Sequence, residues 1–592
     1  MPDNRADNVK LITKTDRNIV DSNQHMGKGC VNTLDRFFSS QTRVPCSSAF
    51  TTSIDVGYGG VLLALPSLLV NNLLKYVDRF KPEVGYYSIK HIFLSLSFLF
   101  LLRIKTLSQS SYLPCGELGK IIGLDRIPEV KTLRERIALF CERADIKQWS
   151  GSLSKDWMEA FPNLSGALYI DGHVNLYYGH STNMPKRYVS RLKLCLSGST
   201  DYWVNDMTGQ PFFVVNKAIN NGMIQVIKDD IIPKLNADVP NQPTMLDLQA
   251  NKHLHKYMLV FDRECYSPDF FCDLWEERIA ICTYNKNVKD KWADSEFVLH
   301  EGRLPNGEIQ NVLLAERGVL LQNMGSSKKI WCREIRKKSE SEHQTSIITT
   351  NYMLPTISIG LYMFARWSQE NFFKYMMENF GIDNLTSYMK EKIDDTTKLI
   401  NPKYRKLEYM QNKLVSKLNI RKAKFATMEM GDMPISENYR KSFLEKKAAL
   451  VEIIKALETE KEQIKSLKKA TQRKICFSEL DENEKFDNVI NQRKQFLDTI
   501  KIIVYRAETA MANLIKPKMG HADEARKLLQ QIYKTDVNIY PCQQNRELIV
   551  EIHSLSHYKN DKVLKYLCEK LNSMEVKFPD TDMVMKYKMV SN

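Results

Sequence analysis

Three acidic residues stand where metal-dependent phosphodiester chemistry needs them. Asp171 follows the apolar run Ala167-Leu168-Tyr169-Ile170, and Asp262 follows Tyr257-Met258-Leu259-Val260-Phe261. Glu370 lies in Phe364-Ala365-Arg366-Trp367-Ser368-Gln369-Glu370-Asn371-Phe372-Phe373, a stretch with helical spacing. Two carboxylates at strand ends and a third on a helix can meet at one point. There they would hold two divalent cations about 4 Å apart, both touching one phosphate. Oxygen donors of this kind suit Mg2+, with Mn2+ as a substitute. Clustered like charges raise at least one pKa until a cation arrives. Each residue also has a plainer use. Asp171 and Asp262 could cap turns, the former with Gly172. Arg366 and Lys374, four residues either side of Glu370, either contact phosphate or form a salt-bridged surface ladder with it.

The chain around these residues is large and basic. Its 592 residues are too many for one core and fit three to five domains. The formal charge of +15 favours a polyanionic partner. Twelve cysteines without a Cys-x2-Cys pair point to reduced thiols in the cytoplasm. A zinc site at Cys265, Cys272 and Cys282 is not expected. The longest apolar stretches, 59–70 and 92–102, fall short of the roughly 20 residues a bilayer needs, so no membrane partner is expected. The start of the chain lacks the apolar core of a signal peptide. No Gly-rich phosphate loop with a following Lys appears. His173 and His180 have no Ser or Cys nucleophile in a recognisable elbow.

The elements that must position the carboxylates follow from periodicity. Residues 1–50 are a polar, flexible segment. Residues 51–150 form a helical DNA-binding domain, with 115–124 and 130–137 spaced as a helix-turn-helix carrying Lys131, Arg134 and Arg136. From 160 to 290 the pattern is mixed α/β, with strands at 167–170, 190–196, 211–215 and 257–261. Residues 291–352 return to strand-like alternation as a β-rich insertion between the second carboxylate and the third. Within 353–385 lies a helix over about 358–379 that carries Glu370 and ends at Gly381. Residues 386–520 are helical and charged, as an antiparallel pair or coiled coil. Residues 521–592 read as a helical segment and tail.

Other candidates serve these elements. Arg187, Arg191 and Lys193 share one face of a strand, where they would lie along a DNA backbone or simply in solvent. Lys328, Lys329, Arg333, Arg336, Lys337 and Lys338 form a denser basic patch in the insertion. Trp203, Trp367, Phe372 and Phe373 are expected in the core rather than as base-stacking platforms. Asp201, Asp206, Glu264 and Glu334 are the carboxylates that would replace a misassigned member of the three.

Together, Leu168-Tyr169-Ile170-Asp171-Gly172-His173, Leu259-Val260-Phe261-Asp262-Arg263-Glu264 and Arg366 to Tyr375 resemble the DDE transposases of bacterial insertion sequences. The likeness is nearest to the IS4-like group and covers about residues 165–385. It implies an α/β fold with an RNase H-like (retroviral-integrase-like) catalytic core, a β-rich insertion before the last carboxylate, and helical domains on either side. It implies Asp171, Asp262 and Glu370 as the catalytic, metal-binding triad, with Mg2+ as the ion. It further implies double-stranded transposon ends and target DNA as substrates, cleavage followed by strand transfer, and action on nucleoid DNA. A homodimer would bring two ends together. Arg366 matches the Arg of the group's pattern; Met363 and Met377 stand where it has Tyr and Lys. Two other functions fit the residues less fully: a non-catalytic DNA-binding or coiled-coil assembly protein, and an RNase H-fold nuclease.

Overall fold

The apolar stretches too short for a membrane become buried helices. In the computed structural model, residues 39, 42 and 44–590 are described. The exceptions are 84, 180–181, 190–193, 218–221, 287, 289, 305–306, 308, 324, 385–389, 392, 429–436, 487, 490, 522–523 and 556. After strand β1 (Ser53–Val56), helix α1 (Ile89–Leu101) buries every side chain but Lys90. Ser88 caps it by accepting from the His91 backbone, and the His91 ring accepts from the Ser88 backbone. Among the described residues no helix is long and apolar enough to cross a membrane. Helices α2 (Cys115–Ile121) and α3 (Val130–Arg143) follow. Their connection spans residues 122–129, longer than the three or four residues of a helix-turn-helix, so this pair departs from that motif. Helix α4 (Ile146–Ala160) leads into the central sheet.

That sheet has ten strands: β2 (Ala167–Leu176), β3 (Lys186–Val189), β4 (Leu194–Asn205), β5 (Pro211–Lys217), β6 (Tyr257–Phe261), β7 (Ile279–Tyr284), β8 (Val298–Arg303), β9 (Ile309–Gln322), β10 (Lys329–Lys338) and β11 (Gln344–Thr349). Strands β2, β4 and β5 form an antiparallel meander. A helical crossover then returns the chain so that β6 lies parallel to β2. Helix α5 (Pro268–Glu276) carries it on to β7, parallel to β6. The core order is thus β5-β4-β2-β6-β7. The insertion does not fold apart from it. Strand β11 pairs antiparallel with β7, and β10, β9 and β8 continue the same ladder outward.

Alternation decides which face each side chain takes. In β2, Leu168 and Ile170 enter the main core, while Ala167 and Tyr169 face the other way. In β6, Leu259 and Phe261 enter the main core, and Met258 and Val260 face the other way. Helix α6 (Thr356–Phe380) covers that second face with Ile359 and Met363. Tyr169 Oη donates to the Tyr362 carbonyl at 2.7 Å, and Gln369 donates to the Tyr169 carbonyl at 3.3 Å. The 206–210 turn fixes the helix further along. Gly209 has φ +84, and a Cβ there would stand 2.8 Å from the Ser368 carbonyl oxygen. Only glycine suits both conditions.

Residues 178–185 and 389–489 form a separate unit. Helices α7 (Pro402–Ala426) and α8 (Glu437–Ala470) run antiparallel, joined by ion pairs Lys468–Glu408 and Lys422–Glu458. The hairpin's core is thin: Leu414, Leu418 and Leu450 are its buried apolar residues among those described.

The chain then returns to the main body, whose centre is helix α9 (Gln492–Ile515). The division falls near residue 489, whereas the sequence suggested one helical region to about 520. The final segment also differs from the expected helices and tail. It contains α10 (Ala525–Lys534), the hairpin β12 (Val537–Cys542) and β13 (Glu547–Ile552), α11 (Tyr558–Asn572) and β14 (Val584–Met589). Strand β1 pairs antiparallel with β12, so the two ends of the described chain share one four-stranded sheet.

Candidate active site

The strand register places two carboxylates side by side. Ile170 of β2 is paired with Phe261 of β6, in parallel. One residue further along each strand stand Asp171 and Asp262. Neighbouring strands lie about 4.8 Å apart. Both residues share parity with the side chains under α6, so both face that helix. On α6, Ile359, Met363, Arg366 and Glu370 recur at spacings of four, three and four, which aligns them on one stripe. The stripe that packs on the sheet therefore ends in a cation and a carboxylate, above the two aspartates. Asp171 does not end its strand, as the apolar run suggested. Strand β2 continues to Leu176 against β4, and only its pairing with β6 stops at Ile170.

Arg366 holds all three acids. Its guanidinium donates to Asp262 Oδ1 at 2.9 Å and lies 3.7 Å from Asp171 Oδ2 and 4.0 Å from Glu370 Oε1. Its side chain is 11% exposed, against 24% for Asp171, 43% for Asp262 and 54% for Glu370. The acids are thus more open to solvent than the arginine they surround. Burial works against the charged form of Arg366, but Asp171 and Asp262 outweigh it and its pKa rises. Arg366 Nε is buried without a hydrogen-bond partner.

Burial also pushes the Asp171 carboxyl up to about 6. Arg366 and the Gly172 amide oppose that shift; Asp262 and Glu264 add to it. Glu264 is a fourth carboxylate at the site. Its own pKa is raised by loss of hydration and by Asp262, with Lys286 opposing. The other reserve carboxylates are engaged elsewhere. Asp201 pairs with Lys494, Asp206 binds the Thr208 hydroxyl and the backbone of its own turn, and Glu334 pairs with Arg336.

The donor set fits a hard divalent cation in chemistry: carboxylate oxygens from three elements already face one positive charge. Among the described residues no three such side chains stand close enough to form a ready-made metal group. The guanidinium occupies the space between them. A cation binding there must compete with Arg366 for the same oxygens.

The basic residues divide sharply. Arg366 is a partner of the acids rather than an exposed phosphate contact. Lys374 is exposed one turn beyond Glu370. The expected patch in the insertion is largely spent internally, which corrects the surface reading. Arg336 is 2% exposed, binds Glu334 and lies 4.2 Å from the centre of the Trp292 ring. Arg333 grips Glu316 through two nitrogens and donates to the Asn351 and Leu354 carbonyls. Lys338 pairs with Asp294, Lys328 with Asp273, and Lys337 lies over Phe364. Lys329 is exposed. On α3, Lys131 reaches Glu135 at 4.0 Å, Arg134 donates to the Ser108 hydroxyl, and Arg136 is half-buried. Arg187 lies in β3, opposite Leu196 of β4. Arg191 and Lys193 lie outside the described residues. Phe372, Phe373 and Trp203 are core, but Trp367 is 67% exposed beside Glu370, against expectation. It falls off the packed stripe, a fact visible only once the stripe is known.

No curated protein matches the chain. A family model described as "Transposase protein" matches residues 27–591, nearly the whole sequence. The chain belongs to that transposase family.

Proposed function

We propose that this transposase cuts and joins DNA by DDE chemistry, with Asp171, Asp262 and Glu370 as the residues that hold its divalent cations. The observation that carries this is the meeting of two aspartates, in the register of neighbouring parallel strands, and one helix glutamate about a single guanidinium. The order β5-β4-β2-β6-β7, with a parallel β2-β6-β7 half, supports an RNase H-like core of the kind found in IS4-like bacterial elements. Mg2+, or Mn2+ in its place, would polarise the scissile phosphate and ready the attacking oxygen. The chain's own residues do the rest. Asp171 must lose its proton for the site to fill. Arg366 must yield the oxygens it holds. The substrates are the element's terminal inverted repeats and then target DNA, on the nucleoid. A homodimer would bring two ends together.

The test is cleavage of duplexes carrying the DNA that flanks the gene. With Mg2+ the protein is expected to nick at the element's ends, and Glu370→Gln is expected to leave them whole. Mn2+ binding followed by electron paramagnetic resonance should weaken in the same variant. Unchanged cleavage in Glu370→Gln sinks the assignment. The Asp171 value also sets a pH limb. Cleavage should rise about tenfold per pH unit below about 6 and level off above it, because only the ionised carboxyl binds a cation. A profile flat from pH 5 to 8 would count against Asp171 as a ligand.

A further inference from the structure

Charge on the separate helical hairpin is distributed unevenly. Helix α7 carries eight basic residues against one glutamate, while α8 sets nine against six. Together these helices hold two thirds of the chain's formal +15. The mixed signs of α8 are those of an ordinary solvated helix. Those of α7 are not.

The positions on α7 are ordered as well. At 100° per residue, Lys406, Lys413, Lys417, Arg421 and Lys424 fall within about 80° of arc. Leu414 and Leu418, the buried residues of α7, face α8 to one side of that arc. All five cations are exposed. None of them has an ion pair among the described residues, whereas Lys403 and Lys422 on the same helix are paired with Asp481 and Glu458. The stripe runs eighteen residues, about 27 Å, or the length of roughly eight base pairs. Parallel like charges cost the free protein self-repulsion, and a polyanion laid along them removes it.

We propose that this stripe of α7 is a docking surface for the phosphate backbone of double-stranded DNA, holding it without reading its sequence. The inference rests on the reading of the chain as a DNA transposase. It assigns the hairpin a grip on DNA of its own, apart from the carboxylate site.

The experiment measures binding of the full chain to a duplex of arbitrary sequence between 50 and 200 mM salt. Three variants are compared with the parent. In one, all five stripe residues become Gln. In a second, five exposed lysines of α8 become Gln instead: Lys441, Lys446, Lys455, Lys465 and Lys469. In a third, the four stripe lysines become Arg. Circular dichroism checks that each stays helical. Each backbone contact contributes about 0.9 to the slope of log affinity against log salt, so the Gln stripe variant should lose about 4.5. Over that salt range the parent's affinity then falls about 500-fold more than the variant's. The α8 variant and the Arg variant should keep the parent's slope. Equal losses in the α7 and α8 variants, or none in α7, overturn the proposal while the DNA reading stands. So does a change confined to self-association, or one seen only with single-stranded RNA. If the parent fails to bind duplex DNA at all, the reading of function falls first.

Discussion

Asp171→Asn is expected to abolish metal-dependent DNA cleavage and, at the same time, to stabilise the metal-free protein. The loss of activity should reach about 1,000-fold or more, some 4 kcal/mol of transition-state stabilisation, because the proposed DDE site would lose one of its cation ligands. The gain in stability follows from linkage. Burial raises the Asp171 carboxyl from 3.8 to about 6 in the folded state. Between those values the folded chain holds more protons than the unfolded one, so stability falls as pH rises through the window. Above about pH 6 the full cost stands, on the order of 2–3 kcal/mol for a shift of two units. Asn keeps the shape and removes the charge. Denaturant unfolding should therefore show the variant more stable at pH 7.5 and equal to the parent below pH 4. Added Mg2+ should narrow the difference by stabilising only the parent. A variant less stable at both pH values would show that Asp171 supports the fold rather than serving a cation.

Lys494→Met should be among the most damaging single changes in the main body. Lys494 lies at the start of α9, and its ammonium donates to Asp201 at 2.9 Å, Asp498 at 2.7 Å and the Ile382 carbonyl at 2.8 Å. Asp201 and Asp498 are 1% and 0% exposed. Burial opposes the charge on Lys494, but the two aspartates outweigh it and its pKa rises. Removing the ammonium leaves two buried carboxylates facing each other, at a cost of about 3–5 kcal/mol. The same ammonium, with Lys501 donating to the Gly381 carbonyl at 3.1 Å, fixes the chain just past the helix that carries Glu370. Urea unfolding should register the full loss in Lys494→Met and only part of it in Lys494→Met/Asp498→Leu, where one stranded charge is gone. Equal losses in the two would mean that packing, not charge, is what Lys494 supplies.

These two sites differ in how far the sequence exposes them. Asp171 and Asp262 are legible because each follows a run of apolar residues whose alternation survives in the sheet. Glu370 is legible because its helix has the right spacing and a Gly stop. Arg366 is legible as a neighbour of Glu370, but its grip on both aspartates depends on strand register, which no local pattern encodes. The insertion strands are individually visible. Their continuation of the core sheet is not, since it rests on β11 meeting β7 across sixty residues of intervening chain. Helix α9 misleads for the opposite reason. Lys494, Asp498, Lys501 and Glu508 are charges at helical spacing, the usual mark of a solvated face, yet all are buried. Their partners, Asp201 and Arg103 among them, lie about 290 to 400 residues away. The closing strands β12 and β13 alternate clearly, as in Glu547-Leu548-Ile549-Val550-Glu551-Ile552, and the helical expectation passed over them.

The pairing of β1 with β12 sets an order of events during synthesis. Ser53 meets Ile539, nearly five hundred positions later in the chain. At about 5–20 residues per second, a ribosome takes roughly 25–100 s to deliver the partner strand. Until then Val56 and the apolar stretch behind it have no lid, and a nascent chain must be kept from clumping. A message cut short anywhere before that point yields no half-sized transposase, only a polypeptide with an open seam for chaperones and proteases to find.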